Sequence, residues 1–107
     1  MRIAIPLWQN RVAPLMDCCS MLKIFELKKD RITEVGVLDM REKNMAERIK
    51  MVREMHPEIL ICNGISFFYR ACLLINAIHV IPNVMGEEES VLNEIFGLPK
   101  KNSINAR

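Results

Sequence analysis

The strongest constraint on the fold is the alternation of strand and helix patterns in the second half of the chain. The run "EILIC", residues 58–62, is short and apolar, as in a strand buried on both faces, and "IHVIP", residues 78–82, is a second such run. One helical pattern lies between these runs and another follows the second. A strand, helix, strand sequence places its two strands parallel, joined by a right-handed crossover. The second half therefore predicts a parallel α/β unit.

The first half predicts antiparallel strands. "RIAIPLW" alternates around Ile3 and Ile5 and is expected to stop at Pro6, with a loop from about Gln9 to Cys19. "MLKIFELKK" and "RITEVGVLD" are rich in β-formers, and the polar residues 28–31 between them predict a hairpin. Together the halves predict an α/β fold with a mixed five-stranded sheet and about three helices. With 107 residues, we expect one domain over residues 1–98 and a flexible tail over 99–107.

Local signals mark the ends of the helices. Asn44 with Glu47 three residues later predicts a capping box for the first helix. Ser66 is the expected N-cap of the second, which is predicted to run to about Ile75 and to end at Asn76. Gly86 and three glutamates open the third helix, and Gly97 closes it.

Composition excludes several classes of function. Fifteen Lys and Arg against thirteen Asp and Glu give a formal charge of +2, without the basic excess of a nucleic-acid binder. The opening "MRIAIPLW" is too short for a signal sequence or a membrane span, so we expect a cytoplasmic protein with no membrane partner. In the reducing cytoplasm, its four cysteines are expected to be free thiols or ligands rather than disulfides.

The predicted topology gathers three segments at one edge of the sheet. Ligands of open α/β sheets bind outside the carboxyl ends of the parallel strands. The segments that leave such ends are the loop from Trp8 to Cys19, the turn 63–66 and the segment 82–86, and we call this edge the rim. At the turn, Gly64 precedes a helix N-terminus that can bind an anion, although the same turn also suits an ordinary strand-to-helix connection. His56 and His79 map to the opposite edge, so a histidine-based triad or zinc-hydrolase site has no support.

Three cysteines are candidates for this rim. Cys18 and Cys19 close the first loop and Cys62 closes a strand, but their spacing matches no known zinc pattern. Adjacent residues in extended backbone project divergently, so at most one of Cys18 and Cys19 should face a given pocket. The alternative for Cys62, and more so for Cys72, is a small apolar residue of the core.

The motifs at these positions resemble a known family. "IAIPLWQNRVAPLMD", "EILICNGIS" and "VIPNVMG" followed by "EEESVLNEIF" are similar, in register, to the dinitrogenase iron-molybdenum cofactor biosynthesis family. The resemblance implies a ribonuclease H-like α/β fold with strand order 3-2-1-4-5 and the second strand antiparallel. Relatives bind, carry or insert iron-sulfur or molybdenum-iron-sulfur clusters, and one branch holds a molybdenum-copper sulfide cluster.

The resemblance also implies a set of cofactor-binding residues. The loop motif carries over Arg11, Val12, Pro14 and Asp17, and the turn motif carries over Cys62, Gly64, Ile65 and Ser66. The chain departs from the family pattern where Asn63 and Asn83 replace glycines and where Cys18 and Cys19 replace small or apolar residues. Lost glycines restrict close backbone approach, whereas added thiols supply soft ligands for iron-sulfur or copper. Asn63, Cys18 and Cys19 therefore join the candidate site, with Cys18, Cys19 and Cys62 as candidate metal ligands.

These observations lead to competing functional hypotheses. The first is a non-catalytic carrier of an anionic metal-sulfur cluster that works with a protein partner in cofactor assembly. The alternative is an adaptor without a metal cofactor that binds a partner, or a second copy, through an exposed sheet edge or helix face. An enzyme of the nuclease type would need clustered carboxylates, and Asp17 is the lone acid in the rim loops before the run 87–89. The sequence leaves open a monomer or a homodimer.

Overall fold

The computed structural model describes residues 1–97, and the predicted tail 99–107 lies outside the described residues. Its first half contains four strands: β1 (Arg2–Trp8), β2 (Arg11–Val12), β3 (Met21–Lys28) and β4 (Arg31–Asp39). Its second half contains α1 (Met45–Met55), β5 (Ile59–Ile61), α2 (Phe67–Ile75), β6 (His79–Ile81) and α3 (Glu88–Phe96).

The strands form one mixed sheet in the order β4-β3-β1-β5-β6. β1 lies antiparallel to β3 and parallel to β5, which in turn lies parallel to β6. Without the extra strand β2, this is the predicted order 3-2-1-4-5 with its second strand antiparallel. The predicted ribonuclease H-like α/β class is therefore confirmed.

The helices cover both faces of the sheet. Alternate residues of β1 point to opposite faces, as the two-residue period of a strand requires. Ala4 packs in the cluster under α1 and α2, which includes Val52 and Leu73, whereas Ile3 packs in the cluster under α3. The central strand is thus buried on both sides, which explains its nearly continuous apolar sequence.

The prediction that β1 stops at Pro6 is wrong, because the strand continues to Trp8. Pro6 is paired with Leu22 of β3, but its carbonyl, and with it the nitrogen that carries no hydrogen, faces away from β3, on the side where β5 pairs with β1 only at Ile3 and Ala4. The Pro6 carbonyl instead accepts a hydrogen bond of 2.9 Å from the amide of Ala13. The predicted loop therefore folds back as β2 along the end of β1.

The helix ends follow the sequence signals with one exception. Asn44 and Glu47 form the predicted capping box, and Gly97 ends α3 in the left-handed conformation. α2 ends at Asn76 as predicted, but the left-handed conformation typical of helix ends falls one residue later: Asn76 has φ −92°, and Ala77 has φ +63°. Asn76 contributes instead through its side-chain amide, which donates to the Cys72 carbonyl at 2.8 Å. Within residues 1–97, no helix combines the length and apolar character needed to cross a bilayer.

Candidate functional site at the rim of the sheet

The first rim loop lies directly against the turn at Gly64. The Gly64 amide donates to the Pro14 carbonyl at 2.9 Å, and the Met16 amide donates to the Gly64 carbonyl at 2.7 Å. A Cβ atom at position 64 would lie 2.9 Å from that Pro14 oxygen, inside the normal contact limit. Glycine is therefore needed here for the close approach of two backbones rather than for a left-handed φ.

The same loop also joins the third rim segment. The Val12 amide donates to the Gly86 carbonyl at 2.9 Å, and Arg11 forms an antiparallel bridge with Glu87. The Glu88 amide donates to the Asn10 carbonyl at 2.9 Å. The three segments predicted to meet at the rim do so, and the loop joins the other two.

Asp17 links the loop to the N-terminus of α2. One of its carboxylate oxygens accepts a hydrogen bond of 2.8 Å from the Ser66 amide. The Ser66 hydroxyl in turn accepts from the Tyr69 amide at 3.3 Å, which confirms Ser66 as the N-cap. The helix end that was predicted to bind an anion already holds an internal one, since a carboxylate is favoured at the positive end of the helix dipole.

The cysteines separate into exposed and buried positions. Cys18 ends a short 3₁₀ helix and is exposed, whereas Cys19 is buried in the same cluster as Cys62. This confirms that adjacent thiols diverge. Burial raises the pKa of Cys19 and of Cys62 to about 11, so both are neutral thiols at physiological pH. Only the thiolate is a good metal ligand, so these two pack as small apolar residues in this conformation.

Arg48 and Tyr69 are site-supporting residues that the sequence analysis missed. The buried Arg48 guanidinium donates to the Cys19 carbonyl at 2.6 Å and to the Lys43 carbonyl at 2.9 Å, and so fixes the end of the rim loop. The Tyr69 hydroxyl is buried and has no hydrogen-bond partner among residues 1–97. Tyr69 belongs to the same buried cluster as Cys19 and Cys62, and burial raises the pKa of its hydroxyl. The burial of Arg48 could not be predicted from the helical pattern of residues 45–55, because a charged residue in such a pattern normally faces solvent.

The other predicted site residues differ in accessibility. Arg11 and Pro14 are exposed, whereas Val12 is buried. Asn63 and Ile65 are half-buried in the turn that precedes α2. A further cation, the exposed Arg70, lies in the first turn of α2, directly after this turn. Burial has the larger effect on the pKa of Cys62, and Arg70 opposes it.

The two asparagines at family glycine positions behave differently. Asn83 has φ +65°, a left-handed conformation that favours glycine and that asparagine tolerates better than most residues. Its amide donates to the Asn63 carbonyl at 2.9 Å, which joins the second and third rim segments. Asn63 has no positive φ, so its backbone does not require glycine. Both substitutions are therefore compatible with the rim geometry.

The cavity beside the rim has the wrong charge for an anion. Its volume is about 320 Å³, and its lining residues are Asn10, Lys23, Glu87, Glu88 and Glu89. Lys23 pairs with the buried Glu88 at 2.9 Å and with Glu34 at 3.3 Å, so its charge is already balanced. An anionic ligand would therefore be repelled here.

The predicted three-cysteine ligand set is not assembled in this conformation. Among residues 1–97, no group of three His, Cys, Asp or Glu side chains is arranged to hold a metal ion. Metal ligation by Cys18, Cys19 and Cys62 therefore stays a prediction. Because Cys19 and Cys62 are buried, the rim would have to open before either could bind a metal.

Comparison with known proteins defines the class of fold. No protein-family model and no curated protein matches the chain. Solved structures do match: the crystal structure of a protein named PH0822 aligns with TM-score 0.81 at 17% identity, covering 94% of this chain and 93% of that one.

A second neighbour is a Methanocaldococcus jannaschii protein named "putative dinitrogenase (mj0327)". Its crystal structure aligns with TM-score 0.73 at 16% identity, covering 94% of this chain and 92% of that one. Its NMR structure aligns with TM-score 0.65 at 14% identity, covering 94% and 91%. At these identities the comparisons establish a shared fold.

Proposed function

We propose that this chain is a non-catalytic protein that binds, carries or inserts an anionic metal-sulfur cluster at the rim. The cluster would contain iron and sulfur, with or without molybdenum, or would be a molybdenum-copper sulfide. The observation that carries the proposal is the exposed thiol of Cys18 on a loop that joins all three rim segments. A soft, accessible sulfur ligand is the donor such clusters prefer.

The rim carries positive charge that suits an anionic cargo. Arg11 lies exposed on the rim and the exposed Arg70 lies in the first turn of α2, so two guanidinium groups are available to balance negative charge. Asp17 occupies the N-terminus of α2, and a cluster that used this helix end would displace its carboxylate. We therefore expect Asp17→Asn, which keeps an acceptor for the Ser66 amide but removes the charge, to strengthen binding of tetrathiomolybdate in equilibrium dialysis.

The buried thiols of Cys19 and Cys62 would bind the cluster only after Cys18 has made the first contact with it. Cys19 and Cys62 lie in the apolar cluster beneath the rim, and Asp17 and Arg48 hold the covering loop in place. Ligation by either thiol requires this loop to move and the thiol to lose a proton. Cys18 is thus the proposed first ligand, with Cys19 and Cys62 as ligands of an opened state.

Two similarities support this proposal. The rim motifs resemble those of the iron-molybdenum cofactor biosynthesis family, and one structural neighbour carries the name "putative dinitrogenase". We infer no catalytic role, because Asp17 binds the Ser66 amide and Glu88 pairs with Lys23, so neither of these carboxylates is available to hold a catalytic metal ion. Cytoplasmic location belongs to the same proposal, since these clusters are assembled where thiols stay reduced.

Anaerobic reconstitution tests the proposal. The full chain is incubated with ferrous iron, sulfide and molybdate, desalted, and examined by visible absorption spectroscopy. We expect a retained chromophore that weakens in Cys18→Ser and persists in Cys72→Ser, a matched control on α2 away from the rim. A colourless protein after desalting would contradict cluster binding.

A protein partner is the second part of the proposal. Trp8, Leu15 and Met85 are large apolar residues that lie exposed on the rim segments. Exposed apolar surface near a binding site is typical of a docking surface, here for the donor or recipient of the cluster. The same residues favour the alternative function, an adaptor without a cofactor. Metal content measured together with native mass separates the two, since an adaptor would bind its partner while free of metal.

A further inference from the structure

Helix α2 is apolar around most of its circumference but is buried on one side only. Its sequence, FFYRACLLI, contains one charged residue, and only Tyr69 and Leu73 are buried. A helix that is apolar all round is normally enclosed by protein on every side. The exposed side of α2 therefore lacks a covering element among the described residues.

The exposed side has a regular arrangement of large and small residues. Its large members are strongly exposed: Phe67 at 88%, Phe68 at 63%, Leu74 at 53% and Ile75 at 83%. Helical periodicity places Ala71 opposite the buried pair Tyr69 and Leu73, at the centre of this stripe. Ala71 is only half-exposed, so the stripe is a shallow groove with bulky side chains at both ends.

This arrangement is complementary to itself. In an antiparallel helix pair related by a two-fold axis at Ala71, a residue before Ala71 meets the partner residue that lies the same number of positions after Ala71. Phe67 then packs against the partner's Ile75, and Phe68 packs against the partner's Leu74. The two small Ala71 side chains meet at the axis, where they allow the helices to approach closely.

The exposed area is what a modest dimer needs. The four large side chains expose roughly 500 Å² per copy, taking about 150–200 Å² for each fully exposed side chain. Two copies would bury roughly 1,000 Å² in total, which is the lower limit for a specific interface. If nothing covers it, an apolar patch of roughly 500 Å² lies near the upper end of the range of patch sizes found on monomeric proteins.

We propose that two copies of this chain associate through the α2 stripe (Phe67, Phe68, Ala71, Leu74 and Ile75) as an antiparallel, two-fold symmetric pair. The only charge on α2, that of Arg70, lies at the margin of the stripe and can stay solvated. Because the helices run antiparallel, the two rims lie at opposite ends of the α2 pair and both stay open. A dimer of this kind forms with or without a bound cluster.

Sedimentation velocity of the full chain tests the proposal. Protein concentrations from about 1 to about 300 µM cover the dissociation constants that we expect for a small interface. We expect a concentration-dependent dimer that is lost in Phe67→Glu and in Ile75→Lys measured separately. Mixing the two variants should restore a dimer, because a Glu at 67 then faces the partner's Lys at 75. Val35→Glu on edge strand β4, which is also about half-exposed, should not affect the dimer.

Each other outcome overturns the proposal. A wild-type chain that stays monomeric throughout shows that another molecule, or solvent alone, covers the stripe. A dimer broken by Val35→Glu instead would place the interface at the edge strand. Failure of the mixed variants to associate would exclude the proposed antiparallel pairing. Circular dichroism of each variant establishes that it is folded, which is expected since every changed side chain is exposed.

Discussion

Replacing Gly64 by alanine should separate the rim loop from the turn. The added Cβ would lie 2.9 Å from the Pro14 carbonyl oxygen and 3.3 Å from a methyl carbon of Leu15. The leucine methyl can move, but the carbonyl is fixed by its hydrogen bond from the Gly64 amide. The clash therefore acts on the contact that holds the loop against the sheet.

The magnitude follows from two contributions. Overpacking costs about 1–3 kcal/mol, and weakening each of two backbone hydrogen bonds costs about 0.5–1.5 kcal/mol, so we expect a loss of about 2–6 kcal/mol in unfolding free energy. For a domain of this size, that corresponds to a Tm lower by roughly 10–50 °C. Urea denaturation followed by circular dichroism measures the free energy, and a thermal scan measures Tm.

Gly36→Ala is the matched control. A Cβ at Gly36 meets nothing within 4 Å, and its φ is not positive, so this change should be neutral or stabilise the chain by about 0.4–1 kcal/mol. If Gly64→Ala and Gly36→Ala have equal stability, the close approach of loop and turn is not what requires glycine, and the reasoning is refuted.

Three further predictions follow from burial and charge. At pH 8, iodoacetamide should modify Cys18 before Cys62, as peptide mass spectrometry would show, and equal rates would contradict the burial of Cys62. The folded-state pKa of Cys62 is raised from 9.0 to about 11, so its neutral thiol stabilises the fold below about pH 9, and this contribution is lost towards pH 11. The stability advantage of wild type over Cys62→Ala should therefore shrink by up to about 2–3 kcal/mol over that interval, and a constant difference would be evidence against it. Lys23→Met removes the 2.9 Å ion pair of the buried Glu88 and should lower the unfolding free energy, measured by urea denaturation, by about 2–4 kcal/mol. Lys50→Met breaks an exposed ion pair with Glu54 and should lower it by less than about 0.5 kcal/mol. Equal losses in the two variants would contradict the proposed effect of burial.

Most of the fold could be predicted because its signals are local. The apolar strands, the capping box at Asn44 and the N-cap at Ser66 depend on residues within a few positions of one another, and each is present in the structure. The strand order follows from the handedness of the crossovers together with the family resemblance. The extension of β1 through Pro6 was missed because it depends on where β5 stops pairing.

The site was less predictable because its contacts join distant parts of the chain. The Asp17 carboxylate meets the Ser66 amide across 49 positions, and Arg48 reaches the Cys19 carbonyl across 29. The sequence indicated that the thiols of Cys18 and Cys19 diverge but not which of them faces the core. That choice depends on how the 3₁₀ helix ends, which no local pattern specifies.

The metal content of anaerobically reconstituted protein tests the cluster-binding account most directly. Iron, molybdenum and copper are counted per chain after desalting, for wild type, Cys18→Ser and Cys72→Ser side by side. The account predicts that wild type and Cys72→Ser retain metal and acid-labile sulfide in fixed ratio, and that Cys18→Ser retains substantially less. Absence of retained metal in wild type, or equal retention in all three proteins, would contradict it.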